Sequence, residues 1–483
     1  MIRYSALGFI SGQFLLIFAI SMLLPIGVGI AYQDEGLAVL SFTALGVVLV
    51  GLALMRWCPR PKTDLNLREG IMLVVLLWTG VMIVGAIPFA CMPWFPTFVD
   101  ALFESTAGFT TTGATILPDV EVLPPSIQMW RCFSHWLGGV GIILLAIAIL
   151  PLLGIGSMAL YKAQAGMLKS ERLKPRIIET ARALWQFYVV ATLLEYVALR
   201  VAGMNWFDSM CHTFSTMGTG GFSTKTASVG HYESAAMEYI IVIFMIVAGL
   251  NFTVHYRAAR DRSILTYFRD IEFRVFLSTI AVATFIITVS LLENQGYGLE
   301  LAFRRALFQV ASIASTTGFA TENYELWAPL PQMLLFIIGA LGANTGSTAG
   351  GVKSFRVYVM LLSLKREFKK MVERRGVFAI RISGEVLSEP QVHSALSLVL
   401  LVIFFLVASS CLLAMLGIDM LTSITTAAAC MFSVGPAFGS AGPAENYAHL
   451  PAAAKVILSL CMLAGRVEFF TFLLVFAPAF WRK

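Results

Sequence analysis

Charged residues are scarce in this sequence. Asp, Glu, Lys and Arg make up only 13% of the 483 residues, whereas 58% are hydrophobic. No soluble fold of this length needs so much apolar surface, so the composition excludes a water-soluble enzyme or binding domain. Several stretches also exceed the roughly 18 apolar residues that indicate a membrane-spanning helix. The sequence therefore predicts an all-α polytopic membrane protein.

Motifs for catalysis, metals and nucleic acids are missing as well. The seven cysteines include no CxxC pair, which disfavours a metal site or a disulfide framework. Neither HExxH nor GxSxG occurs in the chain, so we expect no enzyme. The net charge of +6 does not indicate nucleic-acid binding. The basic residues occupy short loops between apolar stretches, where they orient a protein in its lipid membrane.

The chain does contain a fourfold repeat, in which a short amphipathic stretch leads to a glycine flanked by small or hydroxyl residues. The stretches contain Asp100, Asp208, Arg305 and Thr422, each 13 positions before the glycines Gly113, Gly221, Gly318 and Gly435. A repeat of fixed period indicates how a whole chain is built. Here it predicts four copies of one re-entrant unit around a shared axis.

The apolar stretches predict about ten transmembrane helices. Two extra N-terminal helices precede four helix–pore-loop–helix repeats with pseudo-fourfold symmetry. The predicted spans are 8–31, 37–56, 69–92, 125–153, 183–203, 236–256, 273–292, 330–364, 393–416 and 451–476. The corresponding divisions are an N-terminal pair of helices with a basic loop (1–68) and pore repeats 1 to 4 (69–175, 176–269, 270–381 and 382–483).

The distribution of Lys and Arg predicts the orientation. With both termini in the cytoplasm, the cytoplasmic segments hold 26 of the 34 basic residues, and Arg3 is one more. These segments are the loops 56–68, 162–182, 257–274 and 353–381 and the tail 482–483. The positive-inside rule therefore places all four glycines on the outer side of the membrane.

Each re-entrant stretch is too short to span. The 11 residues from Asp100 to Thr110 would form a helix of about 16 Å, roughly half of a 30 Å hydrocarbon core. Such a stretch can descend halfway and return as extended chain. Non-helical backbone at that depth is tolerated only where it lines a watery cavity or is buried in protein.

Short half-span helices followed by Gly-Thr segments suit cation conduction. Backbone carbonyls can replace a hydration shell, glycine permits the angles that turn consecutive carbonyls to one side, and the helix C-terminus favours a cation. A single copy could equally be a helix-packing or turn motif, but four matched copies favour a filter. Its predicted walls are Thr110-Thr111-Thr112-Gly113, Gly218-Thr219-Gly220-Gly221, Ser315-Thr316-Thr317-Gly318 and Phe432-Ser433-Val434-Gly435. The residues predicted to bind the ion are Thr111, Thr112, Gly113, Gly220, Gly221, Thr317, Gly318, Val434 and Gly435.

A Gly-rich break interrupts the span that follows the third glycine. Twelve apolar residues, too few to cross a membrane, precede the segment 342–351. Such a break at bilayer depth indicates an ion path or a moving gate. Arg466 lies inside the last span, where an arginine is costly and therefore a functional candidate; we expect it to contact carbonyls of the Gly-rich segment or pore water. The predicted gating residues are Gly342, Asn344, Gly346, Gly350, Gly351 and Arg466.

Lys353 follows the Gly-rich break and allows two interpretations. It is either a charge near the pore or an anchor of the positive-inside type, and the sequence slightly favours the anchor. The acids Glu104 and Glu195 are isolated near the membrane. Neither forms the Asp/Glu/His chain expected of a proton relay.

These motifs together resemble the Trk/Ktr/HKT potassium-transporter superfamily, most closely the membrane-embedded subunit of bacterial Trk uptake systems. The resemblance covers nearly the whole chain, including the two N-terminal spans that Ktr-type relatives lack. It is carried by FESTAGFTTTGAT, SHWLGGVGIILLAIAILP, LKPRIIETA, GTGGFST, STTGFAT, GSTAGGVKSFR and AGRVEFFT.

The resemblance implies potassium, K⁺, as the transported and bound ion, and the bacterial inner membrane as location. It also implies a homodimer with one pore per protomer, regulated by a cytosolic nucleotide-binding subunit of the TrkA type. The four repeat glycines would be the filter glycines, and the segment 342–351 with Arg466 would form a gate beneath them. Gly113 favours potassium, because a serine there accompanies sodium transport in some plant relatives. The fourth repeat departs from the pattern, with Val434 before Gly435 and Pro436 after it.

Two transport mechanisms remain open. The first is a channel-like potassium pathway driven by the membrane potential alone. The second is a symporter coupled to H⁺ or Na⁺ on the same scaffold, which should show an intramembrane titratable chain. A membrane enzyme or scaffold would need a catalytic motif that the sequence does not contain.

Overall fold

The computed structural model describes residues 2–61, 63, 65–148, 173–382 and 385–481. In these ranges the chain is built of helices: α1 (Tyr4–Ser21), α2 (Leu23–Tyr32), α3 (Gly36–Trp57), α4 (Leu67–Ala90), α5 (Phe98–Phe109), α6 (Pro125–Ala148), α7 (Leu173–Val201), α8 (Trp206–Gly218), α9 (Ala235–Gly249), α10 (Phe252–Asp261), α11 (Leu265–Arg269), α12 (Ile271–Asn294), α13 (Leu299–Ala314), α14 (Pro329–Leu341), α15 (Ser354–Val372), α16 (Glu389–Met415), α17 (Met420–Met431), α18 (Ala452–Val467), α19 (Phe469–Leu474) and α20 (Pro478–Trp481). Two short antiparallel strands, β1 (Arg381–Ile382) and β2 (Glu385–Val386), pair between α15 and α16. Positions 149–153 of the fourth predicted span, 162–172 of the second basic loop, and the tail 482–483 lie outside the described residues.

Six helical stretches within the described ranges are long and apolar enough to cross a membrane, or seven if one sharply bent pair is counted as a span. The six are Tyr4–Tyr32, Gly36–Trp57, Leu67–Ala90, Thr180–Val201, Ile271–Asn294 and Glu389–Met415. Only 28–44% of each most apolar window is buried. Large apolar surfaces therefore face outward, as lipid contact requires.

The helices that follow the wall segments of repeats 2, 3 and 4 are broken. Helices α9 and α10 meet at an angle of 95°, with Asn251 capping α10 through the backbone N–H of Thr253. The Gly-rich segment separates α14 from α15, and α18 ends at Glu468, whose φ is 69°. The sequence predicts single spans over 236–256 and 451–476, and this continuity is wrong, because Leu250 and Asn251 separate α9 from α10, and Glu468, with its positive φ, separates α18 from α19.

Four short helices, α5, α8, α13 and α17, precede the repeat glycines. They contain 12 to 16 residues, so none can cross a membrane. Three begin at side-chain caps, in which Thr97, Asn205 and Asp419 accept hydrogen bonds from backbone N–H groups three residues later. These are the half-span helices that the sequence predicts.

The short helices pack between neighbouring repeats. Helix α5 contacts α4 and α6 of its own repeat and α18 of the last repeat, while α8 contacts α6 and α13 contacts α9. A buried ion pair joins the ends of the chain, because Lys455 Nζ on α18 lies 2.6 Å from Asp100 Oδ1 on α5. The four repeats therefore surround a common centre, and the last repeat packs against the first.

Candidate functional site

The four wall segments, 110–113, 218–221, 315–318 and 432–435, share one unusual backbone conformation. In each, φ is positive at the glycine and again two residues earlier. These residues are Thr111, Thr219, Thr316 and Ser433 (φ 54–55°) and Gly113, Gly221, Gly318 and Gly435 (φ 75–90°). Alternation of backbone handedness turns successive N–H groups to one side, as in anion-binding nests. It correspondingly turns successive carbonyl groups to the opposite side.

The N–H group that precedes each wall glycine points back toward the half-span helix. It donates to the carbonyl oxygen five residues earlier, at 2.8–2.9 Å in all four repeats. The pairs are Thr112 to Ala107, Gly220 to Ser215, Thr317 to Ser312 and Val434 to Ala429. The N–H groups before the wall glycines are therefore all satisfied on the helix side of their walls.

The wall segments close into a ring in chain order. A Cβ atom added to any of the four glycines would overlap the carbonyl oxygen of the residue before the next glycine. The contacts run from Gly113 to Gly220, from Gly221 to Thr317, from Gly318 to Val434 and from Gly435 back to Thr112. Only glycine fits these positions, because of both the positive φ and the close approach of a neighbouring backbone.

Side-chain support divides the walls into two alternating pairs. In walls 1 and 3 a hydroxyl pair clips the segment, Thr110 to Thr112 at 2.8 Å and Ser315 to Thr317 at 2.7 Å between oxygens. Walls 2 and 4 have Gly218 and Gly220, and Phe432 and Val434, at the same positions. The sequence marks only the fourth wall as divergent, but the structure shows that the second also lacks the clip.

A histidine ring occupies the space beside wall 2. His135 is buried, its Nδ1 lies 3.3 Å from Ser215 Oγ, and its ring stacks on Phe222 with centroids 4.2 Å apart. A side chain at Gly218 or Gly220 would overlap His135. Gly220 therefore makes room for the ring of this α6 histidine, and Gly218 makes room for its backbone carbonyl.

In the first three repeats, the side chain nine positions before the glycine forms a hydrogen bond to a residue two or three positions after the glycine. Glu104 accepts hydrogen bonds from the Thr115 hydroxyl and the Ile116 N–H at 2.9 and 3.0 Å. In repeat 2, His212 Nε2 lies 3.0 Å from Ser223 Oγ. In repeat 3, Gln309 Nε2 donates to Thr321 Oγ1 at 3.2 Å. These contacts fix both sides of each turn, which limits the freedom of the glycine between them.

Arg131 is a central residue that the sequence reasoning did not single out. Its Nε lies 2.6 Å from Glu104 Oε1, and both side chains are almost fully buried. Its Nη1 donates to Ser223 O at 3.1 Å, and its guanidinium lies 3.6 Å from the centre of the Phe222 ring. Arg131 therefore joins repeats 1 and 2. The available signal was the same as for Arg466, an arginine within a predicted span.

The Gly-rich loop, 342–351, lies against walls 2, 3 and 4. The Gly350 N–H donates to Thr316 Oγ1 at 2.7 Å, and the Gly351 N–H donates to Phe432 O at 3.0 Å. The Thr348 hydroxyl lies 3.2 Å from Met217 O, just before wall 2. A Cβ atom at Gly350 would overlap Phe432 O. The loop is therefore seated directly against the wall backbone.

The rest of the loop is held at the bend between α9 and α10. The Asn344 N–H donates to Gly249 O, and the Phe252 N–H donates to Gly346 O, both at 3.1 Å. Gly342 and Gly346 have φ of 65° and 80°, which glycine adopts without steric cost. Movement of the loop would therefore be coupled to this bend.

Arg466 fills the remaining side beneath the ring. Its Nη1 donates to Thr348 O of the loop at 2.7 Å, and its Nη2 donates to Gly138 O of α6 at 2.8 Å. Gly138 in turn lies so close to Phe109 O, just before wall 1, that a side chain would overlap it. The prediction that Arg466 contacts carbonyls of the loop is confirmed. Loop and arginine together contact the surroundings of all four walls.

A cavity next to the Gly-rich loop is lined by further charged side chains. Lys353 is only 8% exposed and donates to Ala349 O, so the interpretation as a membrane anchor is wrong. Arg356 Nη2 lies 2.9 Å from Glu468 Oε2, at the break between α18 and α19. Lys353, Arg356, Arg466 and Glu468 all line this cavity. The guanidinium groups of Arg356 and Arg466 outnumber the single carboxylate of Glu468, which disfavours a resting cation there.

An ion pair and a hydrogen bond link the segments after walls 1 and 2. Lys225 Nζ lies 2.8 Å from Glu121 Oε2, and this hydrogen bond raises the pKa of Lys225. The Thr226 hydroxyl donates to Asp119 Oδ1 at 2.7 Å and lowers the pKa of Asp119. This hydrogen bond therefore favours the charged form of Asp119.

A family model described as TrkH, cation transport protein, matches residues 40–483. The chain is 38% identical over 485 residues to the Trk system potassium uptake protein TrkH of Halomonas elongata, with 98% of each chain covered. It is also 38% identical over 493 residues to the protein of that name from Salmonella typhimurium, with both chains fully covered.

A solved structure shows the same fold. The crystal structure of the potassium transporter TrkH from Vibrio parahaemolyticus matches over 100% of both chains, with a TM-score of 0.92 and 35% sequence identity. The fold is thus that of a helical membrane protein, in agreement with the fold class that the sequence predicts. Because the family model and the full-length relatives agree, this chain belongs to the TrkH family of cation transport proteins.

Proposed function

We propose that this protein is a channel-like pathway for potassium uptake across the bacterial inner membrane. The observation that carries the proposal is the closed ring of wall glycines, each facing the carbonyl before the next glycine. Four equivalent strands with backbone carbonyls on one side can replace the hydration shell of a monovalent cation. The relatives named above are potassium uptake proteins, which supports potassium as that cation.

The ion would be bound by backbone carbonyls of the wall segments. The half-span helices α5, α8, α13 and α17 end directly before these segments, so their partly negative C-termini would favour a cation at the centre. The proposed ion-binding residues are those that the sequence singles out: Thr111, Thr112, Gly113, Gly220, Gly221, Thr317, Gly318, Val434 and Gly435. The proposed division into an N-terminal pair and four repeats, at 68, 175, 269 and 381, follows the same arrangement.

The Gly-rich loop and Arg466 would form the gate. The loop contacts the Thr316 hydroxyl of wall 3 and the backbone of wall 4, and Arg466 bridges the loop to α6 below wall 1. A guanidinium in that position would repel a cation leaving the ring. Opening would require that Arg466 release Thr348 O, and that the loop move away from Phe432.

Uptake through this path needs no coupling ion. One elementary charge gains about 2.3 kcal/mol per 100 mV of membrane potential, and tenfold accumulation costs about 1.4 kcal/mol. A potential of 100 mV could therefore concentrate potassium roughly fiftyfold. The membrane potential alone can therefore drive accumulation of potassium, which favours the channel-like mechanism.

We propose that the protein functions as a homodimer regulated by a cytosolic nucleotide-binding subunit of the TrkA type. The term "Trk system" in the relatives' names supports an assembly of several components. In addition, the end of α15 presents exposed Lys365, Phe368 and Lys369 beyond its buried part. This basic, partly apolar helix end lies on the predicted cytoplasmic side and would suit a docking partner.

Flux measurements test the proposed function. The purified protein would be reconstituted in liposomes, and uptake of K⁺, Rb⁺, Na⁺ and Li⁺ would be measured under an imposed potential, with and without a proton gradient. We expect uptake of K⁺ and Rb⁺ that follows the potential and is independent of the proton gradient. Uptake that stopped without a proton or sodium gradient would instead establish the symporter.

A further inference from the structure

Wall 4 carries a hydrogen bond that the other walls do not have. The hydroxyl of Tyr447 donates to the carbonyl oxygen of Gly435 at 2.7 Å, and the tyrosine is only 2% exposed. Among the described residues, the carbonyls of Gly113, Gly221 and Gly318 accept no such bond. One of the four equivalent carbonyls is therefore oriented by a side chain from outside its wall.

Tyr447 also joins wall 4 to repeat 1. Its backbone N–H donates to Thr115 O at 2.8 Å, two residues after Gly113. Its ring packs against Phe103 on α5, with centroids 5.3 Å apart. The same residue thus contacts the fourth glycine and the chain that leaves the first wall. This seam joins the two parts of the ring that are furthest apart in sequence.

Wall 4 has particular need of such support. It lacks the hydroxyl clip of walls 1 and 3, because Phe432 and Val434 replace hydroxyl residues. The position nine before its glycine, Thr426, bonds within its own helix, and the chain after the glycine is held instead by Thr425, whose hydroxyl bonds the N–H and the carbonyl of Phe438. Within wall 4, the bond from Tyr447 is therefore the contact that restrains the Gly435 carbonyl itself.

We propose that Tyr447 is a positioning residue for cation discrimination. Its hydroxyl fixes the orientation of the Gly435 carbonyl, and its backbone closes the seam between walls 4 and 1. A carbonyl oxygen has two lone pairs, so the bond to Tyr447 sets the direction of this dipole while the second lone pair remains free. The inference rests on the proposed function of the ring as an ion filter.

Tyr447→Phe tests this inference, because it removes the hydroxyl and keeps the ring against Phe103 and the backbone bond to Thr115. A neutral hydrogen bond contributes modestly, so we expect the K⁺/Na⁺ permeability ratio to fall by about threefold or more. Potassium flux should persist. The readout is the reversal potential of reconstituted protein between K⁺ and Na⁺ solutions.

The matched control is Tyr188→Phe. Tyr188 is also a buried tyrosine whose hydroxyl donates to a carbonyl, that of Trp136 at 3.2 Å, but this carbonyl belongs to a helix. We expect Tyr188→Phe to leave the permeability ratio unchanged. Thermal unfolding of both variants measures any general loss of stability. If both variants lose the same stability, a difference between their permeability ratios reports the role of the Tyr447 hydroxyl.

A second reference variant, Gly113→Ser, tests the ring as an ion filter separately from the role of Tyr447. If Gly113→Ser lowers the permeability ratio and Tyr447→Phe does not, the role of Tyr447 is refuted while the filter stands. If Gly113→Ser leaves the ratio unchanged, the filter itself is refuted, and the inference falls with it. A lower ratio in both variants, with Tyr188→Phe unchanged, supports the positioning role.

Discussion

Replacement of Gly113 by serine is the most direct test of the ring. At this position φ is +75°, and an added Cβ atom would overlap the carbonyl oxygen of Gly220. The obstacle is backbone rather than a flexible side chain, and the Gly220 carbonyl carbon lies only 3.1 Å from the added atom. Either wall 1 or the carbonyl of wall 2 must therefore move.

The magnitude follows from two contributions. Left-handed backbone costs a non-glycine residue roughly 1–2 kcal/mol, and residues held in sparsely populated conformations cost of order 1–3 kcal/mol each. If this strain is relieved by displacing the Gly220 carbonyl, a similar amount of ion-binding energy is lost. We therefore expect the K⁺/Na⁺ permeability ratio to fall by about tenfold, the equivalent of about 1.4 kcal/mol.

The assay compares Gly113→Ser with Gly296→Ser. Gly296 has a similar φ of +66°, but no atom lies within 4 Å of a Cβ added there. The control therefore carries the left-handed strain without the contact to a neighbouring carbonyl. Reversal potentials in K⁺ and Na⁺ solutions should change only in Gly113→Ser. Equal discrimination in the wild type and Gly113→Ser would refute the assignment of the ring as the ion filter.

Three further predictions concern the gate and the closure of the repeats. Arg466→Gln removes a charge and two hydrogen bonds to carbonyls, so potassium flux should rise by about tenfold or more in the liposome assay. Gly350→Ala places a Cβ atom against Phe432 O and should also raise flux, because the loop cannot be seated. Lys455→Met leaves the buried Asp100 without its partner at 2.6 Å and should destabilise the protein by about 3–5 kcal/mol, measured by thermal unfolding.

Each of these predictions has its own control. Arg200→Gln removes an arginine that bonds Met204 O, outside the gate, and should leave flux unchanged. Gly46→Ala adds a Cβ atom with no neighbour within 4 Å and should likewise have no effect. The double variant Asp100→Leu/Lys455→Met should recover much of the lost stability. Unchanged flux in Arg466→Gln would contradict the gate, and a double variant no more stable than Lys455→Met would contradict the ion pair as the cause.

Local patterns in the sequence predicted much of the architecture. The period from Asp100 to Gly113, repeated three times, indicates four half-span helices, and the charge distribution indicates their side of the membrane. The structure agrees for the helices, because short amphipathic stretches with capping residues such as Thr97 form helices from local interactions. Arg466 was identifiable since an intramembrane arginine is costly in any fold.

Contacts between distant parts of the chain were not predictable in this way. The bend of 95° between α9 and α10 replaces an apparently continuous span, and Lys353 lies buried although its position suggests an anchor. Both depend on the Gly-rich loop, whose backbone groups supply partners that the local sequence does not contain. The pairing of Glu104 with Arg131 likewise joins residues 27 positions apart.

The sequence by itself determined the membrane class, the four repeats and the positions of the glycines, because hydropathy, charge and repeat period are local properties of the chain. Only the tertiary structure decided how the walls meet. It showed that each glycine faces the carbonyl before the next glycine in the ring, and that Tyr447 bonds Gly435. These are relations between segments that become neighbours only when four repeats pack around one centre, so no local pattern encodes them.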